Sequence, residues 1–152
     1  MRMKKLFFIC LAIAVIFAAC KKEEETLTNN TANNYAFSCK IDGADFTDNN
    51  PLASVNPSTN VLTIDAENGT NSIRFIIYNF SNRTEGEEIA LNNLTDKAYV
   101  TLGTDEYTNT QNGQLIFSDI GNPLSGTFNA ICKDANFQSV IVTEGKFVDV
   151  VY

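Results

Sequence analysis

From Tyr35 onward, apolar residues alternate with polar ones over short stretches, and clusters of Asn, Asp, Gly and Pro separate those stretches. Tyr35, Phe37, Cys39 and Ile41 share one face against Ala36, Ser38 and Lys40, the period of a strand with one buried side. Asp42-Gly43 predicts a turn, with Ala44 to Thr47 as the returning arm of a hairpin. Leu52 to Val55 is a further short strand between Asp48-Asn49-Asn50-Pro51 and Asn56-Pro57-Ser58. Val61 to Glu67 and Ser72 to Phe80, joined at Asn68-Gly69, give the strongest hairpin signal. In its second arm Ile73, Phe75 and Ile77 oppose Ile76 and Tyr78, which predicts a central strand covered on both faces.

Ser81 to Glu88 is polar and loop-like, and Ile89 to Leu91 fits a short strand or one helical turn. Lys97 to Leu102 alternates again. Asp105 to Gln111 is a polar strand expected to turn at Asn112-Gly113 into Gln114 to Ile120. Leu124 to Lys133 puts Phe128, Ala130 and Cys132 on one face, and Ser139 to Val142 and Lys146 to Val151 flank an expected turn at Glu144-Gly145. No stretch combines helix caps with a 3.6-residue period. About nine short strands separated by such turns predict an all-β domain over residues 35–152, an antiparallel β-sandwich or flattened barrel.

The N-terminus follows another pattern. Arg2, Lys4 and Lys5 precede an apolar run from Leu6 to Phe17, too short to span a bilayer and within the range of a signal-peptide core. Phe17-Ala18-Ala19-Cys20 then resembles the bacterial lipoprotein signal, in which small side chains precede a cysteine whose thiol receives a diacylglycerol. The resemblance implies a signal peptide over 1–19, a lipidated Cys20 and a chain held at a membrane by several acyl chains. Residues 20–34 carry no periodic apolar face, so they are expected to form a flexible tether. Within it, Lys22-Glu23-Glu24-Glu25 resembles the export signal of Bacteroidota surface lipoproteins, and equally fits a solvated charged spacer.

Composition narrows the chemistry. Apolar residues make up 44 % and charged ones 19 %, a balance that suits a packed globular core. The net charge is −7; once Arg2, Lys4 and Lys5 leave with the signal, 8 basic residues face 18 acidic ones, a balance of −10. That charge argues against a nucleic-acid partner and against electrostatic adhesion to anionic lipid. The absence of histidine removes Ser-His-Asp and Cys-His catalysis and the common zinc sites. No cofactor, metal site or catalytic residue is expected.

Four short segments carry a family resemblance: Phe37-Ser-Cys-Lys-Ile-Asp-Gly43, Gly113-Gln-Leu-Ile-Phe-Ser-Asp119, Leu124-Ser-Gly-Thr-Phe128 and Val142-Thr-Glu-Gly-Lys-Phe147. In this order, after a lipobox, they resemble a group of small Bacteroidota lipoproteins of unknown function with a single all-β domain. The resemblance implies fold and outer-membrane location and no activity.

Candidate sites are few. Cys39 and Cys132 both fall on inward faces, and either a disulfide or two separate buried thiols satisfies the pattern. Asp42, Asp45 and Asp48, and Asp65 with Glu67 and Asn68, surround turns; they fit solvated loops better than a Ca²⁺ loop of regular spacing. Glu85, Glu87 and Glu88 fit an exposed loop. Tyr99, Tyr107 and Phe117, near Asn109, Thr110 and Gln111, are the candidate ligand contacts, with packing between strands as the alternative. The expectation is a lipid-anchored, non-catalytic binding module for a glycan or protein at the outer membrane, on the cell surface or the periplasmic face. The alternatives are a structural accessory of an envelope assembly and, last, a carboxylate-based hydrolase.

Overall fold

The structure, a computed structural model, describes residues 36–152. The expected signal peptide, Cys20 and the tether, with the charged stretch Lys22 to Glu25, lie outside the described residues.

Eleven strands form two antiparallel sheets: β1 (Phe37–Ile41), β2 (Ala44–Asp48), β3 (Leu52–Asn56), β4 (Val61–Asn68), β5 (Asn71–Tyr78), β6 (Glu88–Ala90), β7 (Lys97–Leu102), β8 (Asp105–Tyr107), β9 (Asn109–Asp119), β10 (Leu124–Lys133) and β11 (Ser139–Val150). The six-stranded sheet runs β2-β1-β11-β10-β9-β6 and the five-stranded sheet β3-β4-β5-β7-β8. The all-β sandwich expected from the alternation is thus the fold, with eleven strands rather than nine. The only other regular element among the described residues is one 3₁₀ turn at Phe80–Asn82.

The alternating apolar residues of both sheets meet in one core. Phe128 lies at its centre, with ring centroids 4.9 Å from Phe37 and 4.8 Å from Phe75, the latter reaching across from the opposite sheet. Such edge-on and tilted aromatic contacts contribute roughly 0.5 to 1.5 kcal/mol each beyond the burial itself. The predicted turn at Asp42-Gly43 is present, with Ile41 opposite Ala44 and both turn residues at positive φ, the geometry that matches strand twist.

Two predicted turns are absent. Asn112-Gly113 and Glu144-Gly145 lie inside continuous strands, β9 and β11. At Gly113 a Cβ would meet the Asn129 carbonyl oxygen at 2.6 Å, so the glycine serves close backbone approach rather than a reversal. At Glu144, φ is 53° and one residue of β10 opposes two of β11 between Phe128↔Gly145 and Ala130↔Val142, a β-bulge. A second bulge at Asp149, also at positive φ, bends the same strand again.

The strand β5 is central, between β4 and β7, but only one of its faces is covered. Ile73, Phe75 and Ile77 are buried, whereas Tyr78 is 39 % exposed and Arg74 stands in solvent beside Asp65. The chain passes from one sheet to the other between Tyr107 and Asn109. There the buried Thr110 hydroxyl donates to Ala98 O (2.7 Å) and accepts from Ala98 N (3.0 Å), restoring a ladder-like bridge where the sheet changes.

Candidate functional site

A groove of about 700 Å³ lies on the outer face of the six-stranded sheet, across β9, β10 and β11. Strand alternation builds its floor. Ile116, Ile131 and Ile141 point outward between the buried Leu115, Ala130 and Val142, and Ile131 stands directly opposite Ile141. Thr127, opposite Ile116, and Asn129, opposite Gln114, add hydroxyl and amide groups. The bulge at Glu144 bends β11 beneath this face, and the bulged residue reaches Lys40 at 2.8 Å. That contact raises the Lys40 pKa through its hydrogen bond to the Glu144 carboxylate. Lys146 stands on the rim. The floor is therefore aliphatic with polar edges. Phe128 closes it from below and is 4 % exposed, so its ring is not a stacking surface.

Gly145 fixes the depth of this arrangement. A Cβ there would fall 2.4 Å from two ring carbons of Phe128, which lies directly across the strand pair. Only glycine lets the ring cover that stretch of β11.

A second cluster, not anticipated from the sequence, centres on Arg83 and Asp96. Arg83 donates to Asp96 Oδ2 at 2.6 Å and Glu87 Oε1 at 2.8 Å, and its Nε and second amino group to Tyr78 O at 3.3 and 3.2 Å. Asp96 also accepts from Tyr78 N at 2.7 Å and is only 4 % exposed. Glu87 accepts from Thr84 N as well, and the Arg83 hydrogen bond holds its carboxyl below the usual carboxylate range. Within the loop expected to be exposed, Glu87 is thereby a clamped residue. The cluster ties the end of β5, the loop before β6 and the start of β7 into one unit. No sequence signal marks it, because Asp96 sits in a polar stretch and its partner is 13 residues away.

The three aromatic candidates do not share a surface. Phe117 is fully buried, with Phe80 and Phe147 against it. Tyr107 opposes Val100 and packs against the core, whereas Tyr99, opposite Arg74, belongs to the outer face of the five-stranded sheet. They lie on three strands, β7, β8 and β9, whose alternation sends them in different directions, and Phe117 takes the alternative of packing between strands.

The cysteines are two separate buried thiols. Cys39 lies on β1 and Cys132 on β10, with β11 between them. Two strand spacings and the offset along β11 put them on the order of 15 Å apart, against about 7 Å for a bridgeable Cα pair. The disulfide alternative is therefore excluded in this fold. Burial pushes both thiols up to about 12, and Cys132 Sγ donates to Ala98 O at 3.2 Å.

The acidic turns are likewise engaged. Asp42 accepts from Ile141 N at 2.8 Å, Asp48 from Asn50 N and Glu67 N at 2.8 Å each, and Asp65 from Arg74 at 2.5 Å. Among the described residues no three acidic or thiol side chains cluster as a metal site.

Compared with protein-family models, with curated proteins and with solved structures, the chain matches none. The fold defines it as an antiparallel β-sandwich protein.

Proposed function

We propose that this chain is a lipoprotein, anchored in the outer membrane through Cys20, whose β-sandwich is a non-catalytic binding module for a protein partner. The single observation that carries the binding reading is the outer groove with Ile116, Ile131 and Ile141 on its floor. Aliphatic floors suit apolar side chains of a protein, whereas sugars are held on exposed aromatic faces, and this groove presents none. The polar rim of Thr127, Asn129 and Lys146 suits the hydrogen bonds that surround such a contact.

Three experiments test the reading. Palmitate labelling of cells making the full chain is expected to mark it, and Cys20→Ser to abolish the label; persistent labelling of that variant overturns the anchor. A photo-crosslinking residue at position 141 in intact cells is expected to give one adduct of defined mass that Ile131→Asp removes, while the same residue at position 63, on the other sheet, gives none. No adduct at 141, or equal adducts at both positions, overturns the groove as the binding face. Loss of the domain when intact cells are treated with protease places it on the surface, and survival until lysis places it on the periplasmic face.

A further inference from the structure

The two sheets leave four open edges: β2 and β6 on one, β3 and β8 on the other. Open edges invite pairing with foreign strands, and charge or shortness normally guards them. Here β2 carries Asp45 and Asp48, while β6 and β8 are three residues long and carry Glu88 or Asp105 and Glu106. The strand β3 is different. Leu52-Ala-Ser-Val-Asn56 is five residues long, has no charge and no bulge in its pairing with β4, and exposes Leu52 at 67 %. Pro51 and Pro57 bound it, so the pairing segment is limited to these residues.

We propose that β3 is a self-association edge, along which two copies of this chain pair antiparallel about Ser54 and join their five-stranded sheets. The sequence of the edge supports a second copy as its occupant. With Ser54 on the two-fold axis, Leu52 meets Asn56 of the other copy and Ala53 meets Val55, so the inward, half-buried pair continues the core side and the outward residues oppose one another without charge. In so acidic a protein β3 is the one edge strand that carries no carboxylate, so two copies approach along it with the least repulsion. Five residue pairs bury less than a standard interface of about 1,600 Å², so the dimer is weak and reversible. On the membrane-anchored reading, confinement raises its effective concentration, but the edge does not depend on that reading.

Cross-linking of the full chain in cells, resolved on non-reducing gels, tests this. Ser54→Cys is expected to yield a band at twice the chain mass, because facing residues across an antiparallel pair bring their Cβ atoms within about 5 Å. Leu52→Cys alone is expected to give none, whereas the double variant Leu52→Cys with Asn56→Cys restores the dimer by register. Thr63→Cys, on the sheet face, is the control. These side chains lie on the exposed side of the sheet or are half-buried there, so the variants fold. Absence of the Ser54→Cys dimer, a Leu52→Cys dimer as strong, or an adduct of another mass overturns self-pairing, the last in favour of a foreign strand.

Discussion

Arg83 and Asp96 meet at 2.6 Å, and Asp96 is the more deeply buried partner, its side chain 5 % exposed against 20 % for the arginine. The pair joins the end of β5 to the start of β7 across the excursion that carries β6 into the other sheet. Asp96→Ala leaves the Tyr78 N–H without its acceptor, while the guanidinium keeps Glu87 Oε1 and Tyr78 O. Orphaning that donor costs about 1 to 3 kcal/mol. The urea midpoint is expected to fall accordingly with an unchanged slope; a loss within a few tenths of a kcal/mol would show the clamp to be dispensable.

Glu87 makes part of that clamp pH-dependent. Its carboxyl is held below the usual range, first by Arg83 and then by Thr84 N, so the folded state binds its proton less readily than the unfolded chain. The contribution is fully present above the ordinary glutamate value of about 4.3 and is lost as pH falls through the lower, folded value. Between those values the wild type is expected to lose stability on acidification more steeply than Glu87→Gln, and parallel acid limbs would refute the linkage.

Gly145→Ala tests the packing beneath the groove. The added methyl meets Phe128 ring carbons at 2.4 Å and its carbonyl oxygen at 2.5 Å, and the backbone atom cannot swing away. Overpacking of this kind costs about 1 to 3 kcal/mol. Gly43→Ala, with open space but a φ of +83°, is expected to cost nearer 1 kcal/mol, from backbone conformation alone. Thermal denaturation of the two variants separates contact strain from dihedral strain.

Cys39 and Cys132 are expected to resist thiol reagents in the folded chain at pH 8, since burial keeps both protonated at pKa values near 12. Mass spectrometry of alkylated peptides should find both modified only after denaturation and without any reductant. A Cys39–Cys132 disulfide peptide would contradict the strand order.

Much of the fold was legible because strand alternation is a local property. Each buried residue on β4 and β5, from Leu62 and Ile64 to Phe75 and Ile77, is fixed by its neighbours two positions away. The Asp42-Gly43 turn was equally legible, since positive φ at two successive positions favours those residue types. Asn112-Gly113 carried the same local signal and proved to be mid-strand, because β10 approaches too closely there for any side chain. Glu144-Gly145 misled for a related reason: a bulge and a turn both use positive φ.

What the sequence by itself determined is the class: short alternating strands, an excess of acidic residues and no histidine chemistry. Only the tertiary structure decided which strands are neighbours. That order separated Cys39 from Cys132, sent Tyr99, Tyr107 and Phe117 to different places, brought Arg83 to Asp96, gathered Ile116, Ile131 and Ile141 into one groove and left β3 as a neutral edge. The physical reason is the same throughout. A period of two tells each residue which side of its own strand it occupies, but the pairing partner is chosen by core packing and turn geometry summed over the whole sheet.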